Sequence, residues 1–411
     1  MLTLRMAFRN IFRQRRRTVL TALSMIGGVS LAVIFIGWSD GSYNDIIDKF
    51  TRNRLGHIQI HQRNYLDRPS LYKTIDDPHR VGEALEEIKN VEYWAPRVYS
   101  AGLVAVRDKS AAVQIIGIDP EKEKRMTHFD QKIIRGKTFS SKAAHEAILG
   151  KGLADILHAR IGDEIVIISQ GADGSIAEDL YHIIGISSSG DDIGDRAAFY
   201  LHLKDAQQLL VLGNRVHEIA VTVKKLGQVK KATDLISGKL NNPQLSVAPW
   251  QVFARSFYNA MQADKEGMWI MLVIIVIIVA VGVLNTVLMS VLERRREYGL
   301  LKAIGSRPRQ IIKVVLLEVL ILGLMCIIIG SGIGLAANSY LSGHGIKISS
   351  LYKGIESFTY GGIKFEIMKS EINSRSFIIP AVTVIIVALV VSFFPALKAA
   401  RTEPASTMRM H

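Results

Sequence analysis

The sequence predicts a membrane protein with four transmembrane α-helices and a large α+β extracytoplasmic domain between the first and second helices. The first observation is a set of four uncharged stretches, at 18–39, 268–292, 319–346 and 376–397. Each is long enough to cross a hydrocarbon core roughly 30 Å thick as an α-helix. The second is the long interval between the first two stretches, which alternates short strand and helix patterns. The third is a mean hydropathy of +0.22 over the chain.

Basic residues are concentrated in three short segments that four crossings place on one side of the membrane. Of the net charge of +14, +13 comes from residues 1–17, 293–313 and 398–411. Lys and Arg beside membrane spans mark the cytoplasmic side. We therefore predict that both termini and 293–313 are cytoplasmic. The same distribution argues against a nucleic-acid-binding protein, because no recognition motif accompanies the basic residues.

These patterns predict the order of segments along the chain. A basic amphipathic helix at 1–17 precedes TM1, whose apolar run is too long for a signal peptide and lacks a cleavage site, so we predict an uncleaved anchor. The remaining predicted segments are TM1 at 18–39, the outer domain at 40–266, TM2 at 267–292, a cytoplasmic segment at 293–313, TM3 at 314–341, an outer loop at 342–375, TM4 at 376–397 and a cytoplasmic tail at 398–411.

The outer domain, 40–266, has the pattern of an α+β domain with two lobes. Residues 56–61 alternate with period two, as a half-buried strand does, and Pro78 is placed to begin a helix. A second group of strand and helix patterns, at about 120–195, predicts a second lobe inserted into the first. From Trp250 the pattern is helical into TM2, which indicates a stalk continuous with the membrane.

The chain shows no pattern that supports catalysis, a metal site or a bound cofactor. The only cysteine, Cys326, falls within TM3, and no nucleophile with a matching base can be defended. His57 and His61 would lie about 13 Å apart on a strand, too far for one zinc ion. The sequence at 136–138 resembles the end of a phosphate-binding loop, but Gln131 stands where that loop needs a glycine.

Two features inside or beside the predicted spans have more than one interpretation. Gly330 and Gly334 form a small-xxx-small pair in TM3, which predicts close helix packing within the chain or between protomers. Glu318 is an acid near the membrane and a candidate ion-coupling group. Lys313, five residues earlier, favours a local ion pair instead.

Residues 292–313 predict a short cytoplasmic helix with an apolar face, ended by Gly305 as a C-cap. A helix of about two turns is not stable alone and needs a partner surface. A basic loop facing lipid headgroups would explain the arginines but not the capped apolar face. We therefore predict a docking element for a cytoplasmic protein, and we favour an ATPase because the chain has no nucleotide site of its own. The apolar positions are Tyr298, Leu301, Ala303 and Ile304.

The segment ERRREYGLLKAIGSRPRQI resembles the E-R-x-x-E-x-G-x-L-x-A-x-G pattern of the MacB/FtsX/LolC-LolE superfamily of ABC transporter permeases. In that family it is the coupling helix, which fits a groove of the ATPase subunit. The segments AFRNIFRQRRRTVLTALSMIGGV, GHIQIHQRNYLD and FPALKAARTEPASTMR also resemble family segments, closest to LolC/LolE-type lipoprotein-releasing permeases. The matching coupling residues are Glu293, Arg294, Glu297, Gly299, Leu301, Lys302, Ala303 and Gly305.

The resemblance implies a mechanical transmitter in the inner membrane of a bacterium, surrounded by membrane lipids, with its large MacB-like core domain in the periplasm. Two ATPase subunits would bind two permease subunits, the second being a copy of this chain or a homologue. ATP would bind to the ATPase, so this chain would be no enzyme and hold no cofactor. ATP-driven closure would reach the periplasmic domains, which in the LolC/LolE branch pass a lipoprotein to a periplasmic chaperone.

Three functions are compatible with this resemblance. We favour release or export of a lipoprotein or another hydrophobic envelope substrate. The alternatives are FtsX-like regulation of periplasmic cell-wall hydrolases, and MacB-like efflux of peptides or amphiphiles with an adaptor. The size of 40–266 favours the first over the second. The turn at 169–182 is shorter than the proline-containing hairpin that recruits the LolC chaperone. The sequence therefore leaves open whether a chaperone or an adaptor is used.

Overall fold

The computed structural model describes residues 6, 8–9, 15–351, 358–360 and 363–402. The predicted helix at 1–17 and the tail beyond Thr402 therefore lie largely outside the described residues. Within them, the chain divides into two compact units. We call Met1–Tyr43, Gln262–Lys353 and Ile367–His411 the membrane unit, and Asn44–Met261 with Gly354–Glu366 the outer unit.

The described helices and strands follow one another along the chain in this order. The helices are α1 (Arg15–Phe50, continued by a π-helical turn at Thr51–Leu55), α2 (Pro78–Glu86), α3 (Pro120–Thr127), α4 (Lys151–Leu157), α5 (Leu203–Leu209), α6 (Val229–Leu240), α7 (Trp250–Phe253), α8 (Arg255–Glu293), α9 (Arg295–Ala303), α10 (Pro308–His344), α11 (Ile348–Leu351) and α12 (Ser374–Ala400). The strands are β1 (Ile58–Gln62), β2 (Val91–Val106), β3 (Lys109–Ile118), β4 (Ile133–Gly136), β5 (Glu146–Gly150), β6 (Glu164–Gln170), β7 (Ile176–Ser187), β8 (Ala198–His202), β9 (Glu218–Val223), β10 (Leu245–Pro249), β11 (Ile346–Lys347), β12 (Phe358–Tyr360), β13 (Ile363–Phe365) and β14 (Ile367–Met368).

Four helices among the described residues are long and apolar enough to cross a membrane, which confirms the predicted fold class. They extend over Thr18–Leu55, Arg255–Glu293, Pro308–His344 and Ser374–Ala400. All four are longer than the uncharged stretches that predicted them, because the helical backbone continues through polar residues next to each span. The edges of the membrane itself stay predictions.

The core of the membrane unit is built from one apolar stripe on each long helix. Residues four apart lie on one helix face, so each stripe forms a continuous ridge. Small and β-branched side chains dominate these ridges. The buried members are Met25, Val29 and Val33 of α1, Val279, Val283, Val287 and Val291 of α8, Ile311, Val315, Val319 and Cys326 of α10, and Val384, Ala388, Ala396 and Ala399 of α12.

In the outer unit, the 16-residue strand β2 belongs to two sheet regions. Its first part pairs with β9 and extends an open sheet in the order β10-β1-β9-β2. Its last part pairs with β6 and completes a ring of hydrogen-bonded pairs in the order β2-β3-β8-β5-β7-β6. Helices α2 and α6 pack on the open sheet and on each other. A single long strand therefore joins the two regions.

The ring of six strands encloses a core of side chains at alternating positions. Alternate residues of a strand point to opposite faces, so every second residue of each strand in a closed sheet faces inward. These inward positions are buried. They are Val104, Val106, Val113, Ile115, Ala147, Leu149, Ile165, Ile167, Tyr181, Ile183, Phe199 and Leu201.

The predicted inserted lobe at 120–195 stays a prediction. The ring of six strands takes β5, β6 and β7 from this range and also contains β3, the second half of β2, and β8, which ends at His202. The sequence interpretation assigned the hairpin β2–β3 to the first lobe. Period-two alternation identifies a strand, but not its pairing partner.

Candidate functional site

Helix α9 is the short helix that the sequence predicts between the second and third spans. Arg294 is its N-cap residue, and Ile304 ends it. The N–H of Ser306 donates to the carbonyl of Leu301 at 2.9 Å, and that of Gly305 to the carbonyl of Lys302 at 3.0 Å. This pair of bonds is a Schellman motif, which needs a left-handed residue, and Gly305 supplies it with φ of 97°. The glycine therefore has a backbone role at the end of α9.

Arg294 connects the start of α9 to α10 through an ion pair. Its Nη1 donates to both carboxylate oxygens of Glu318, at 3.0 and 3.2 Å, and its Nε donates to Glu297 at 3.0 Å. Glu318 thus pairs with Arg294, 24 residues earlier in the chain, whereas the sequence favoured Lys313 as its local partner. Charge-assisted bonds of this kind are among the stronger ones in proteins.

Lys302 connects the last turn of α9 to the end of α12. Its ammonium donates to the carbonyl oxygens of Ala400 and Thr402, at 3.1 and 2.9 Å. The last carbonyls of a helix have no partner within the helix and carry a partial negative charge, so a cation is favourable at this end. Together, Arg294 and Lys302 hold both ends of α9 against helices of the membrane unit.

The apolar residues of α9 divide into a buried set and an exposed set. Tyr298 is buried, and Leu301 packs against the core of the membrane unit. Leu300 and Ile304 lie one turn apart and are 60% and 75% exposed. Ala303 is also exposed. Tyr298 and Leu301 of the predicted docking face therefore contact the chain itself, whereas Ala303 and Ile304 are exposed.

Sequence reasoning missed Leu300, which the four-residue spacing to Ile304 could have identified. Most of the other coupling residues lie where they support α9. Glu297 is bonded to Arg294, and Gly299 is buried. Glu293 is exposed at the end of α8. The residues that the sequence predicts for coupling are thus largely ones that hold the helix, and the exposed apolar pair is beside them.

Gly330 and Gly334 lie at a close contact between α1 and α10. A Cβ at Gly330 would come within 2.9 Å of the side chain of Val29, and one at Gly334 within 2.7 Å of that of Val33. One turn further, Asn338 donates its amide N–H to the carbonyl of Val33 at 2.9 Å. Of the two alternatives left by the sequence, the structure places these glycines in packing within the chain.

Comparison with known proteins gives matches along most of the chain. The family described as MacB-like periplasmic core domain matches residues 18–238, and the family described as FtsX-like permease C-terminal matches residues 269–404. The lipoprotein-releasing system transmembrane protein LolC of Neisseria meningitidis serogroup B is 22% identical over 404 residues, which cover 95% of this chain and 94% of that protein.

Two further relatives differ in length from this chain. The macrolide export ATP-binding/permease protein MacB 2 of Aeromonas hydrophila is 22% identical over 80% of this chain and 52% of its own. The periplasmic region of MacB from Actinobacillus actinomycetemcomitans aligns with a TM-score of 0.38 and 14% identity, over 52% of this chain and 98% of that structure. Since the MacB-like family alone matches more than half of the residues, the chain belongs to the MacB/FtsX/LolC-LolE superfamily of ABC transporter permeases.

Proposed function

We propose that this permease transmits the work of ATP hydrolysis from a separate ATPase to its own outer unit. The observation that carries the proposal is the exposed apolar pair Leu300 and Ile304 on a helix held at both ends. Such a pair is a docking surface for a groove, in the way that amphipathic helices bind their partners. Two ATPase subunits would bind ATP and two permeases, the second being a copy of this chain or a homologue.

The contacts of α9 suit the transfer of a displacement. Arg294 is bonded to α10 and Lys302 to α12, so a partner that moves α9 also moves both helices. The two helices that connect the units are continuous across their boundaries, α1 beyond Tyr43 and α8 before Gln262. A continuous α-helix transmits axial force because every peptide group is bonded within it.

For the substrate, we propose a lipoprotein or another hydrophobic envelope molecule that is moved without crossing the membrane. The name of the relative from Neisseria meningitidis describes lipoprotein release. Removing an acyl chain from a bilayer costs about 0.8 kcal/mol for each CH₂ group, so extraction requires coupled work. We further propose that both termini are cytoplasmic in the bacterial inner membrane. Identification of the substrate would also show in which direction it moves and whether a chaperone or adaptor receives it.

The docking surface is tested by replacing both Leu300 and Ile304 with Asp and purifying the tagged permease gently from its native membrane. We expect the ATPase to be lost from the preparation, while membrane insertion is unchanged. Ile193→Asp is the control, because Ile193 is also exposed, at 85%, but lies in the outer unit. Recovery of the ATPase with the double variant at the level of the control would contradict the proposed docking.

Mass spectrometry of the same wild-type preparation distinguishes the possible substrates. Acylated proteins that co-purify with the ATPase would support lipoprotein handling. A cell-wall hydrolase would support the regulatory alternative, and a periplasmic adaptor would support efflux. The second permease subunit would be identified in the same experiment.

A further inference from the structure

The outer unit contains a cavity of about 920 Å³ whose lining combines basic and apolar groups. Its volume lies in the range of small-molecule sites, which are mostly apolar with a few placed polar groups. The charged lining residues are Arg54, Arg97, Glu123, Lys132, Glu218 and Arg255. All of these belong to the outer unit.

Both acids of the cavity are already occupied by Arg97. Its Nε donates to Glu123 at 2.5 Å, and its Nη1 donates to Glu218 at 3.1 Å. The three side chains are almost fully buried. Tyr99 also donates to Glu218, at 3.3 Å. A buried ion network with satisfied hydrogen bonds forms a fixed polar wall, and it leaves no unpaired carboxylate to repel an anion.

Lys132 provides an ammonium whose hydrogen-bonding capacity is only partly used. Its Nζ donates to the backbone oxygen of Asn53, and the described residues supply it with no other hydrogen-bond acceptor. An ammonium has three N–H donors, so two are left for a ligand or for water. Burial lowers the pKa of Lys132 to about 8, so the group is still mostly charged at pH 7.

The balance of charge in the lining is positive. Arg97 and Lys132 offset Glu123 and Glu218, and Arg54 is paired with Asp191 outside the lining. Arg255 is exposed and makes no ion pair within the described residues. Among the lining residues themselves, four basic side chains outnumber two acidic ones, which favours a negatively charged ligand.

Other walls of the cavity are apolar and aromatic. Phe50 stacks on Phe257 with ring centroids 3.7 Å apart, and Phe253 lies beside them in the lining. On the loop after β1, Leu66 and Leu71 supply further apolar surface. A small inorganic anion would leave these walls in water, whereas an acyl chain would cover them at about 25 cal/mol for each Å².

We propose that this cavity binds an anionic amphiphile with one acyl chain, whose head contacts Lys132 and whose chain lies against Phe257 and Leu66. A fatty acid and an anionic lysolipid share this chemistry. The cavity lies wholly within the outer unit, so its ligand can be measured whether or not the permease docks an ATPase. Phe50 and Phe257 belong to the helices that lead into and out of this unit, so the ligand would contact both.

The test uses the full chain in nanodiscs of phosphatidylcholine and a photoactivatable palmitate, with cross-linked peptides identified by mass spectrometry. We expect saturable labelling of peptides that line the cavity. Lys132→Met should weaken labelling about tenfold or more, the value of a charged hydrogen bond. Lys124→Met is the matched control, since Lys124 is exposed on α3 outside the lining. Leu66→Asp should also reduce labelling. Because Leu66 is partly exposed, this change should leave the fold intact.

Competition identifies the recognised chemistry. Palmitate or lysophosphatidylglycerol should displace the probe, and the more effective of the two indicates the source of the ligand. Hexadecanol should compete poorly because it has no negative head, and inorganic phosphate because it has no acyl chain. Labelling confined to the membrane helices would overturn the proposal. Equal competition by hexadecanol, together with unchanged labelling of Lys132→Met, would overturn it as well.

Discussion

Leu300 and Leu301 are neighbours in sequence and have opposite surroundings. Leu300 is exposed, whereas Leu301 packs against the core of the membrane unit. The sequence alone suggests Leu301→Asp as a test of docking, but a carboxylate there would also disturb the core. Gly305→Trp has a similar difficulty, because Gly305 adopts a left-handed conformation that other residues rarely adopt. Leu300 and Ile304 are exposed, so they are the positions at which the proposed docking can be tested without changing the fold.

The short helix between the second and third spans could be predicted from sequence, but the contacts of each of its residues could not. A short amphipathic helix shows the same apolar spacing whether its face contacts its own chain or a partner. The partners of Arg294 and Lys302 are Glu318 and the end of α12, both remote in sequence. Such contacts depend on how the long helices pack, which local patterns do not specify.

The proposed ligand site makes a prediction about pH that concerns Lys132. Burial lowers its pKa to about 8 from an ordinary 10.5; Glu123 and Asp195 raise it, and Arg97 and Arg54 lower it. Binding of an anion requires the charged ammonium, so palmitate labelling should fall as pH rises through about 8. The fall should be absent in Lys132→Arg, which stays charged. A labelling profile of the wild type that is flat from pH 7 to 9 would contradict this role.

The stability of the protein should change in the opposite direction over the same range. Between pH 8 and 10.5 the unfolded chain binds the Lys132 proton more tightly than the folded chain does. The contribution of this group to the free energy of unfolding therefore increases as pH rises through that window. If labelling fell because the protein unfolds at high pH, the free energy of unfolding would instead decrease over this range.

At the scale of elements, the contact between α1 and α10 depends on the absence of side chains at Gly330 and Gly334. We predict that Gly334→Leu lowers the stability of the membrane unit by about 1–3 kcal/mol, the usual cost of overpacking. A Cβ at Gly334 already meets Val33 at 2.7 Å, so the rest of a leucine has no space. Thermal unfolding in detergent measures the effect.

Gly332→Leu is the matched control for this prediction. Gly332 lies on the same helix, two residues away, and a Cβ there meets no atom within 4 Å. Both variants remove the same backbone freedom and add the same apolar surface, so their difference isolates the packing contact. Equal unfolding temperatures for the two variants would show that the contact contributes little.

The strands of the outer unit illustrate what sequence patterns leave undetermined. Alternation identified β1, and a proline correctly marked the start of α2 at Pro78. The closed ring could not be predicted, because β2 pairs with β6 and β9, which follow it by many residues. Pairing between distant strands is a property of the whole domain and leaves no local signal.

At the scale of the whole molecule, hydropathy predicted the four spans because a bilayer imposes a strong and simple constraint. A segment in lipid must be apolar and must satisfy its backbone hydrogen bonds internally. No comparable constraint in the sequence specifies the ATPase, the second permease or the substrate. The surface proposed for ATPase docking, Leu300 and Ile304, is identified by its exposure in the folded chain.

The proposed transmission predicts that α8, which is continuous across the boundary between the two units, must remain rigid there. Ala263 is exposed on this helix, close to the boundary after Met261. A proline there removes one backbone hydrogen bond and clashes with the preceding turn, which creates a kink at a cost of about 3 kcal/mol. We therefore predict that Ala263→Pro still docks its ATPase but transmits less of the movement. The measurement is hydrogen exchange of the complex with and without ATP and vanadate.

In the wild type, we expect nucleotide trapping to change exchange both around α9 and in the outer unit. In Ala263→Pro the change around α9 should persist, and the change in the outer unit should fall. Ala263→Ser is the control, because serine is tolerated at an exposed helical position. If the outer unit of Ala263→Pro responds as fully as that of Ala263→Ser, the movement reaches it by another route, and continuity of α8 is not what couples the two units.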